Sequence, residues 1–369
     1  MVNRIARATT VSLAGIVLMT ASYSAAQITA PDATAPAAKG PLLFWTQLSN
    51  LDDREGFAAM FAGVSNDALL VAGGANFPDK RPWEGGTKKW YDDVWLLDDV
   101  GGAWKKVGKL PRPNAYGVSG TVPAGVVCAG GGNAGEHFTD AFLLTWKDSK
   151  LETKSLPPLP KPCAFASGTT VGTTLYVSGG IEKPDSTSCL STLWAIDLSQ
   201  PNPKWDELDP CPGPERMLAV AASDGESFYL FSGTKLSPGA DGKPVREYLK
   251  DAWQFEPAQG WARLADMPRA AVAAPTPATR SLDGKLLVFT GDDGVNVGFK
   301  PETEHPGFPR DVLAYDPAND HWTSMGEAPI SRATVPTVEW QGLTIIPNGE
   351  ARPGYRTPEV WALKQQPNK

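Results

Sequence analysis

The chain is poor in the residues on which much catalytic chemistry depends. Only three histidines occur, His137, His305 and His321; no spacing gathers them, so a multi-histidine metal centre is not expected. The four cysteines, Cys128, Cys163, Cys189 and Cys211, lack a zinc pattern, and one disulfide bridge at most is expected to matter, with its pairing undetermined. No Ser-His-Asp arrangement follows from spacing, and no phosphate-cradling glycine motif sits between a strand and a helix. Positive charge is outnumbered, with 34 Lys and Arg against 41 Asp and Glu, which speaks against nucleic acid and anionic membrane surfaces as partners. Helical periodicity is missing from every long segment. No apolar run is long enough for a spanning helix, so membrane insertion is not expected.

What is abundant is glycine, proline and tryptophan, at 37, 34 and 13 residues, the composition of an all-β chain with many tight turns. The first residues read as a targeting segment. Arg4 and Arg7 precede a short apolar core over residues 11–19, and Ser24-Ala25-Ala26 supplies small residues for cleavage near Ala26, a secretory signal peptide over residues 1–26. Residues 27–40, rich in Ala, Pro and Thr, read as a flexible leader. The remainder, 41–369, is expected to be one exported domain, periplasmic or secreted, of unknown oligomeric state.

A repeat organises that domain. An apolar strand ending in small residues recurs six times, its first glycine falling at Gly73, Gly130, Gly179, Gly233, Gly291 and Gly349, a spacing of about 50 to 60 residues that suits kelch-type propeller blades. A third strand follows each time, as in Asp93-Val94-Trp95-Leu96 and Glu359-Val360-Trp361-Ala362. A fourth opens on Trp104, Trp205, Trp261 or Trp322, with Leu151 in that place in the second repeat. The sixth repeat ends before its fourth strand, and Trp45-Thr46-Gln47-Leu48 near the N-terminus matches the missing piece. The expected fold is a six-bladed β-propeller whose N-terminal strand completes the last blade and removes the open edges.

Two recurring positions carry candidate chemistry. A basic residue stands where each innermost strand begins: Arg54, Arg112, Lys161, Arg216, Arg269 and Arg332. For most of them the commoner role is bridging neighbouring blades through backbone carbonyls; two or three are also candidates for contact with a ligand at the channel mouth. The second-glycine slot of the repeat reads Gly74, Gly131, Gly180, Thr234, Asp292 and Glu350. Acidic residues in a glycine slot break a local rule, and such breaks mark functional sites. Glu350 is thus the first candidate for general acid/base work, with Arg356 and Arg352 as anion binders; Asp292 either acts on Glu350 as a like charge or caps its own turn, the favoured reading. The long loop 75–91, with Asn76, Phe77, Arg81, Trp83, Glu84, Lys88, Trp90 and Tyr91, forms either a sugar-binding wall or packing for its own blade.

The string Gly349-Glu350-Ala351-Arg352-Pro353-Gly354-Tyr355-Arg356-Thr357, with Val71-Ala72-Gly73-Gly74-Ala75-Asn76-Phe77-Pro78 and Trp90-Tyr91-Asp92-Asp93, resembles the exported kelch-propeller N-acetylneuraminate epimerases, or sialic acid mutarotases. Here the motif lies in the last blade, as in the cyclically permuted branch of that family. The resemblance implies interconversion of the α and β anomers of free sialic acid without a cofactor, with Glu350 catalytic and Arg356 its partner. One carboxylate can shuttle both protons that ring opening requires, and an arginine suits the acid group on the anomeric carbon. A mutarotase for another sugar and a non-catalytic carbohydrate- or protein-binding propeller are the alternatives; a copper oxidase of the kelch-propeller type is the weakest.

Overall fold

The computed structural model describes residues 40–368, so the expected signal peptide and nearly all of the leader lie outside the described residues. Six four-stranded antiparallel sheets follow one another around a central channel. The innermost strands are Phe61–Ser65, Val118–Val122, Ser167–Val171, Val220–Ser223, Thr279–Arg280 and Val338–Trp340, and the first four are rich in small residues because they crowd the axis. The second strands, such as Ala68–Ala72 and Phe228–Phe231, are buried along their whole length, as a strand sandwiched between two neighbouring sheets must be. The expected closure is present: Leu42–Leu48 pairs with Val360–Gln366, Trp45 opposite Leu363, as the outer strand of the sixth blade.

The core is shared out between blades. Phe61, Leu70 and Leu96 of the first blade pack with Val126, Phe142 and Leu144 of the second, each such side chain contributing about 1.5–3 kcal/mol by leaving water. Four of the repeated tryptophans stitch the outer rim. The indole N–H of Trp104, Trp205, Trp261 and Trp322 donates to the carbonyl of Ser49, Pro157, Asp209 and Ala265, at 2.7 to 2.9 Å. In each case that carbonyl lies just past the outer strand of the preceding blade. Leu151 makes no such bond; it packs over Gly108 instead, leaving no room there for a Cβ.

At the axis, one residue per blade takes a left-handed backbone: Ala59, Tyr116, Phe165, Leu218, Ala273 and Thr334, with φ between 54° and 67°. Each N–H donates to the carbonyl of its counterpart in the preceding blade, at 2.6 to 3.0 Å, and Ala59 to Thr334 completes the circle. None of the six is glycine, so each conformation costs about 1–2 kcal/mol. The closed circuit of hydrogen bonds offsets that cost, since successive bonds polarise one another.

The glycine frame read from the sequence needs a correction. The left-handed pairs that end each second strand are Gly73-Gly74, Gly130-Gly131, Gly179-Gly180, Ser232-Gly233, Thr290-Gly291 and Asn348-Gly349. In the last three blades the frame therefore moves back by one residue. Ser232 and Asn348 satisfy backbone N–H groups of the next blade, Ala271 N to Ser232 Oγ at 2.8 Å and Phe57 N to Asn348 Oδ1 at 3.1 Å. In the first three blades a Cβ would strike a carbonyl oxygen of the next blade, at 2.4 Å for Gly73 and 2.2 Å for Gly179.

All four cysteines are free, and Cys128, Cys163 and Cys189 are buried, so the single bridge allowed for in the sequence does not form. Burial pushes the Cys163 thiol up to about 12 and Cys189 to about 11, which keeps both protonated and unreactive. Protein purified without reductant is expected to titrate four thiols once denatured and to react slowly with a thiol reagent while folded. A count of two after denaturation would establish a disulfide.

Candidate functional site

The axial ring of Tyr116, Phe165, Leu218, Ala273 and Thr334 forms the floor of a cavity of about 310 Å³ at one mouth of the channel. Its walls rise from the insertions that follow the second strands. The loop of the first blade carries Phe77, Pro82 and Lys88, the fourth blade's hairpin Arg246, the fifth Asp292 and Phe308, and the sixth Glu350, Pro353, Gly354 and Arg356. The slot after each left-handed pair, occupied by Ala75, Gly132, Ile181, Thr234, Asp292 and Glu350, forms an antiparallel bridge with the residue preceding each ring member. Glu350 thus occupies a position open to any side chain, and no glycine rule is broken there. The residue singled out from the sequence lines the cavity, for a different structural reason.

Glu350 is held by the short hairpin of Glu350–Arg352 and Tyr355–Arg356. Its Oε1 accepts from Gly354 N and from Arg356 Nη1, each at 2.7 Å, while Oε2 has no hydrogen-bond partner among the described residues. The Arg356 guanidinium is almost completely buried and lies 5.0 Å from the Phe77 ring centre. Burial works against its charge but is outweighed by Glu350 and then by the Tyr116 hydroxyl, so its pKa is raised and it stays cationic. Lys88 Nζ donates to the Tyr116 phenolic oxygen at 2.8 Å. Lys88 also sits 5.0 to 5.6 Å from the rings of Phe77, Trp90 and Tyr116. Glu350, Arg356, Tyr116 and Lys88 thus line one cavity as two bonded polar pairs.

Loop 75–91 does more than cover its own blade. Trp83 packs on Tyr355, centroids 5.4 Å apart, and closes on Gly354, while Arg81 lies over Tyr355 at 4.4 Å. The loop thereby braces the hairpin that holds Glu350 and contributes Phe77 and Lys88 to the cavity. Asp292 acts as a turn cap: its carboxylate accepts from Gly294 N at 3.0 Å and from the Tyr248 hydroxyl at 2.9 Å. Beside it a second cavity of about 260 Å³, reaching His305 and Phe299, shares Arg246, Asp292 and Pro353 with the first.

Seven of the nine expected site residues lie elsewhere. Arg352 stacks on Tyr355 at 4.0 Å and donates to the Thr303 carbonyl at 2.9 Å, away from the cavity. Asn76 is buried, its amide engaged with Gly56 O and Asp53 and accepting from the Tyr91 hydroxyl. Arg54 is largely exposed and paired with Glu55. Arg112, Arg216, Arg269 and Arg332 pair with Asp140, Asp251, Asp311 and Glu359, the acids at or beside the start of the third strand of their own blades. This intra-blade clamp, repeated in four blades, leaves none of them lining the cavity. The sequence reading missed Tyr116 and Arg246; a phenol at 116, where the equivalent places hold Ala59, Phe165, Leu218, Ala273 and Thr334, was the available signal. Among the described residues no group of three His, Cys, Asp or Glu side chains could hold a metal ion.

Residues 38–153 match the family model described as N-acetylneuraminate epimerase. The chain is similar to proteins named N-acetylneuraminate epimerase: from Brucella suis, 38% identical over 29% of this chain and 30% of the relative, and from Yersinia enterocolitica, 29% identical over 57% of each. The chain thus spans less than a third of the Brucella relative's length and just over half of the Yersinia one's. A solved structure of YjhT superposes with a TM-score of 0.63 at 16% identity, covering 85% of this chain and 96% of that one, and shares its fold.

The clamp arginines yield a direct test. Arg216 and Asp251 are both buried, and Arg216→Ala leaves a carboxylate unpaired, so denaturant unfolding is expected to show a loss of about 3–5 kcal/mol. Arg54→Ala is expected to stay within about 0.5 kcal/mol of the parent. Equal stability of the two variants would refute the clamp.

Proposed function

We propose that the protein is an exported mutarotase that interconverts the α and β anomers of free N-acetylneuraminate. The observation that carries this reading is a carboxylate and a guanidinium fixed together on the wall of the channel-mouth cavity, with Glu350 Oε1 bonded to Gly354 N and Arg356 Nη1. The names of the similar proteins and the shared fold support it. Export rests on Arg4, Arg7 and the apolar core of residues 11–19.

The free Glu350 Oε2 takes the proton of the anomeric hydroxyl while the bond between the anomeric carbon and the ring oxygen breaks and the departing ring oxygen takes up a proton. The open-chain keto acid turns its other carbonyl face toward the ring-closing hydroxyl, and Glu350 returns the proton. Arg356, whose charge burial would otherwise penalise, offers its remaining donors to the sugar's carboxylate, and Lys88 adds a second positive charge. The aromatic side chains of Phe77, Tyr116 and Phe165 provide flat apolar surface for the pyranose.

N-acetylneuraminate released as the α anomer by a sialidase is expected to equilibrate faster in an NMR tube with the purified protein than without it. Glu350→Gln, which keeps an oxygen for Gly354 N, should lower that rate at least about 100-fold with little change in sugar affinity. An unchanged rate with the parent protein removes sialic acid as the substrate.

A second measurement addresses export. Protein recovered from the periplasm or medium of a bacterial host should begin at Gln27 by mass spectrometry, and full-length protein confined to the cytoplasm would refute export.

A further inference from the structure

Ring opening needs a proton on the ring oxygen as well as the removal of one from the anomeric hydroxyl, and the two oxygens leave the anomeric carbon in different directions. We propose that Tyr116 is the second catalytic residue, the acid that protonates the ring oxygen while Glu350 takes the anomeric proton. This rests on the mutarotase reading of the same site.

Three observations carry it. First, the Tyr116 hydroxyl accepts a hydrogen bond from Lys88 Nζ at 2.8 Å and stands beside the Arg356 guanidinium. Lysine and arginine can only donate, so neither can accept the phenol's own proton, which is left for an acceptor in the cavity that Tyr116 lines. Second, Arg356 also binds Glu350 Oε1, so the carboxylate and the phenol flank one guanidinium. Both groups line the same cavity, so one can serve each of two oxygens borne by a single carbon. Third, the phenol is rigidly aimed. Its residue is a member of the axial ring, donating from its N–H to Ala59 O and accepting at its carbonyl from Phe165 N, and its ring packs at a tilt against Phe165 with centroids 4.3 Å apart.

The step balances. The anomeric O–H proton goes to Glu350, the bond between the anomeric carbon and the ring oxygen breaks, and the ring oxygen receives the phenol proton. This leaves a neutral Glu350, an open-chain keto acid and a phenolate stabilised by Lys88 and Arg356. On closure the phenolate takes the proton of the attacking hydroxyl, and Glu350 returns its own to the carbonyl oxygen on the other face. No oxidant, metal or co-reactant enters.

The test uses the full mature protein with Tyr116→Phe, which keeps the ring contact with Phe165 and removes only the hydroxyl. Exchange between anomers at equilibrium, followed by NMR, is expected to slow about 100-fold or more, while the Kd for N-acetylneuraminate and the melting temperature stay close to the parent's. Lys88→Gln, which retains a donor without the charge, should slow exchange roughly tenfold. A Tyr116→Phe protein that exchanges anomers at the parental rate overturns the proposal while leaving the mutarotase reading intact. Weakened sugar binding with an unchanged rate at saturation also overturns it, because the hydroxyl would then only be positioning Arg356. If the parent protein acts on no reducing sugar acid, both readings fall together; if it acts on another one, the same variants decide the role of Tyr116 on that sugar.

Discussion

The circle of six backbone hydrogen bonds at the axis is the constraint from which the rest of the molecule follows. Ala59, Tyr116, Phe165, Leu218, Ala273 and Thr334 are all left-handed, and each N–H reaches back to the preceding blade. A sheet cannot provide such a circuit, because strand N–H groups point within the blade. The left-handed turn redirects one donor and one acceptor per blade tangentially, and the neighbouring residue is then free to bridge to the slot occupied in turn by Ala75, Gly132, Ile181, Thr234, Asp292 and Glu350. The geometry that seals the ring thus also sets the height at which Glu350 enters the cavity.

On that symmetric frame the site arises from asymmetry. The first, fourth, fifth and sixth blades place long insertions over the mouth, whereas the second and third contribute the ring aromatics Tyr116 and Phe165 to its floor. The first blade's loop packs on the sixth blade's hairpin through Trp83 and Tyr355, across the junction where the chain's two ends meet. Pairing of Leu42–Leu48 with Val360–Gln366 therefore supports the site as well as the fold: it ties down the blade that carries both Glu350 and Arg356.

Much of this architecture is legible in the sequence because it is repeated. Six strands ending in small residues, the tryptophans of the outer strands and the displaced N-terminal strand each mark a blade through a physical need: a left-handed turn, an indole donor for the preceding blade, an edge to be covered. Repetition also misled. The frame of the last three blades was set on Gly233, Gly291 and Gly349, because a sequence pattern favours glycine at a left-handed position, whereas Ser232, Thr290 and Asn348 hold the first left-handed place with polar side chains that bond the next blade. The arginines at the innermost strands were legible as a set but not in their direction. Each partner acid, Asp140, Asp251, Asp311 or Glu359, lies later in the same blade, and nothing local to the arginine shows which way it turns.

Tyr116 shows why part of the site escapes a reading along the chain. It sits in Asn114-Ala115-Tyr116-Gly117, where the equivalent residues of other blades are as unremarkable as Ala59 and Ala273, and its direction is set by a positive φ that an ordinary side chain rarely adopts. Its hydroxyl meets Lys88, which is 28 residues distant in the chain, and Arg356 from the last blade. A propeller brings such groups together because every ring position faces the same small volume, whatever its distance in sequence. The ring's backbone bonds need no particular side chain, so a phenol, a phenyl or a methyl fits the frame equally well. The backbone circuit therefore survives a change of side chain, and because the apolar packing of the Tyr116 ring would be served as well by a phenylalanine, a hydroxyl between two cations is best explained by what it does to a ligand.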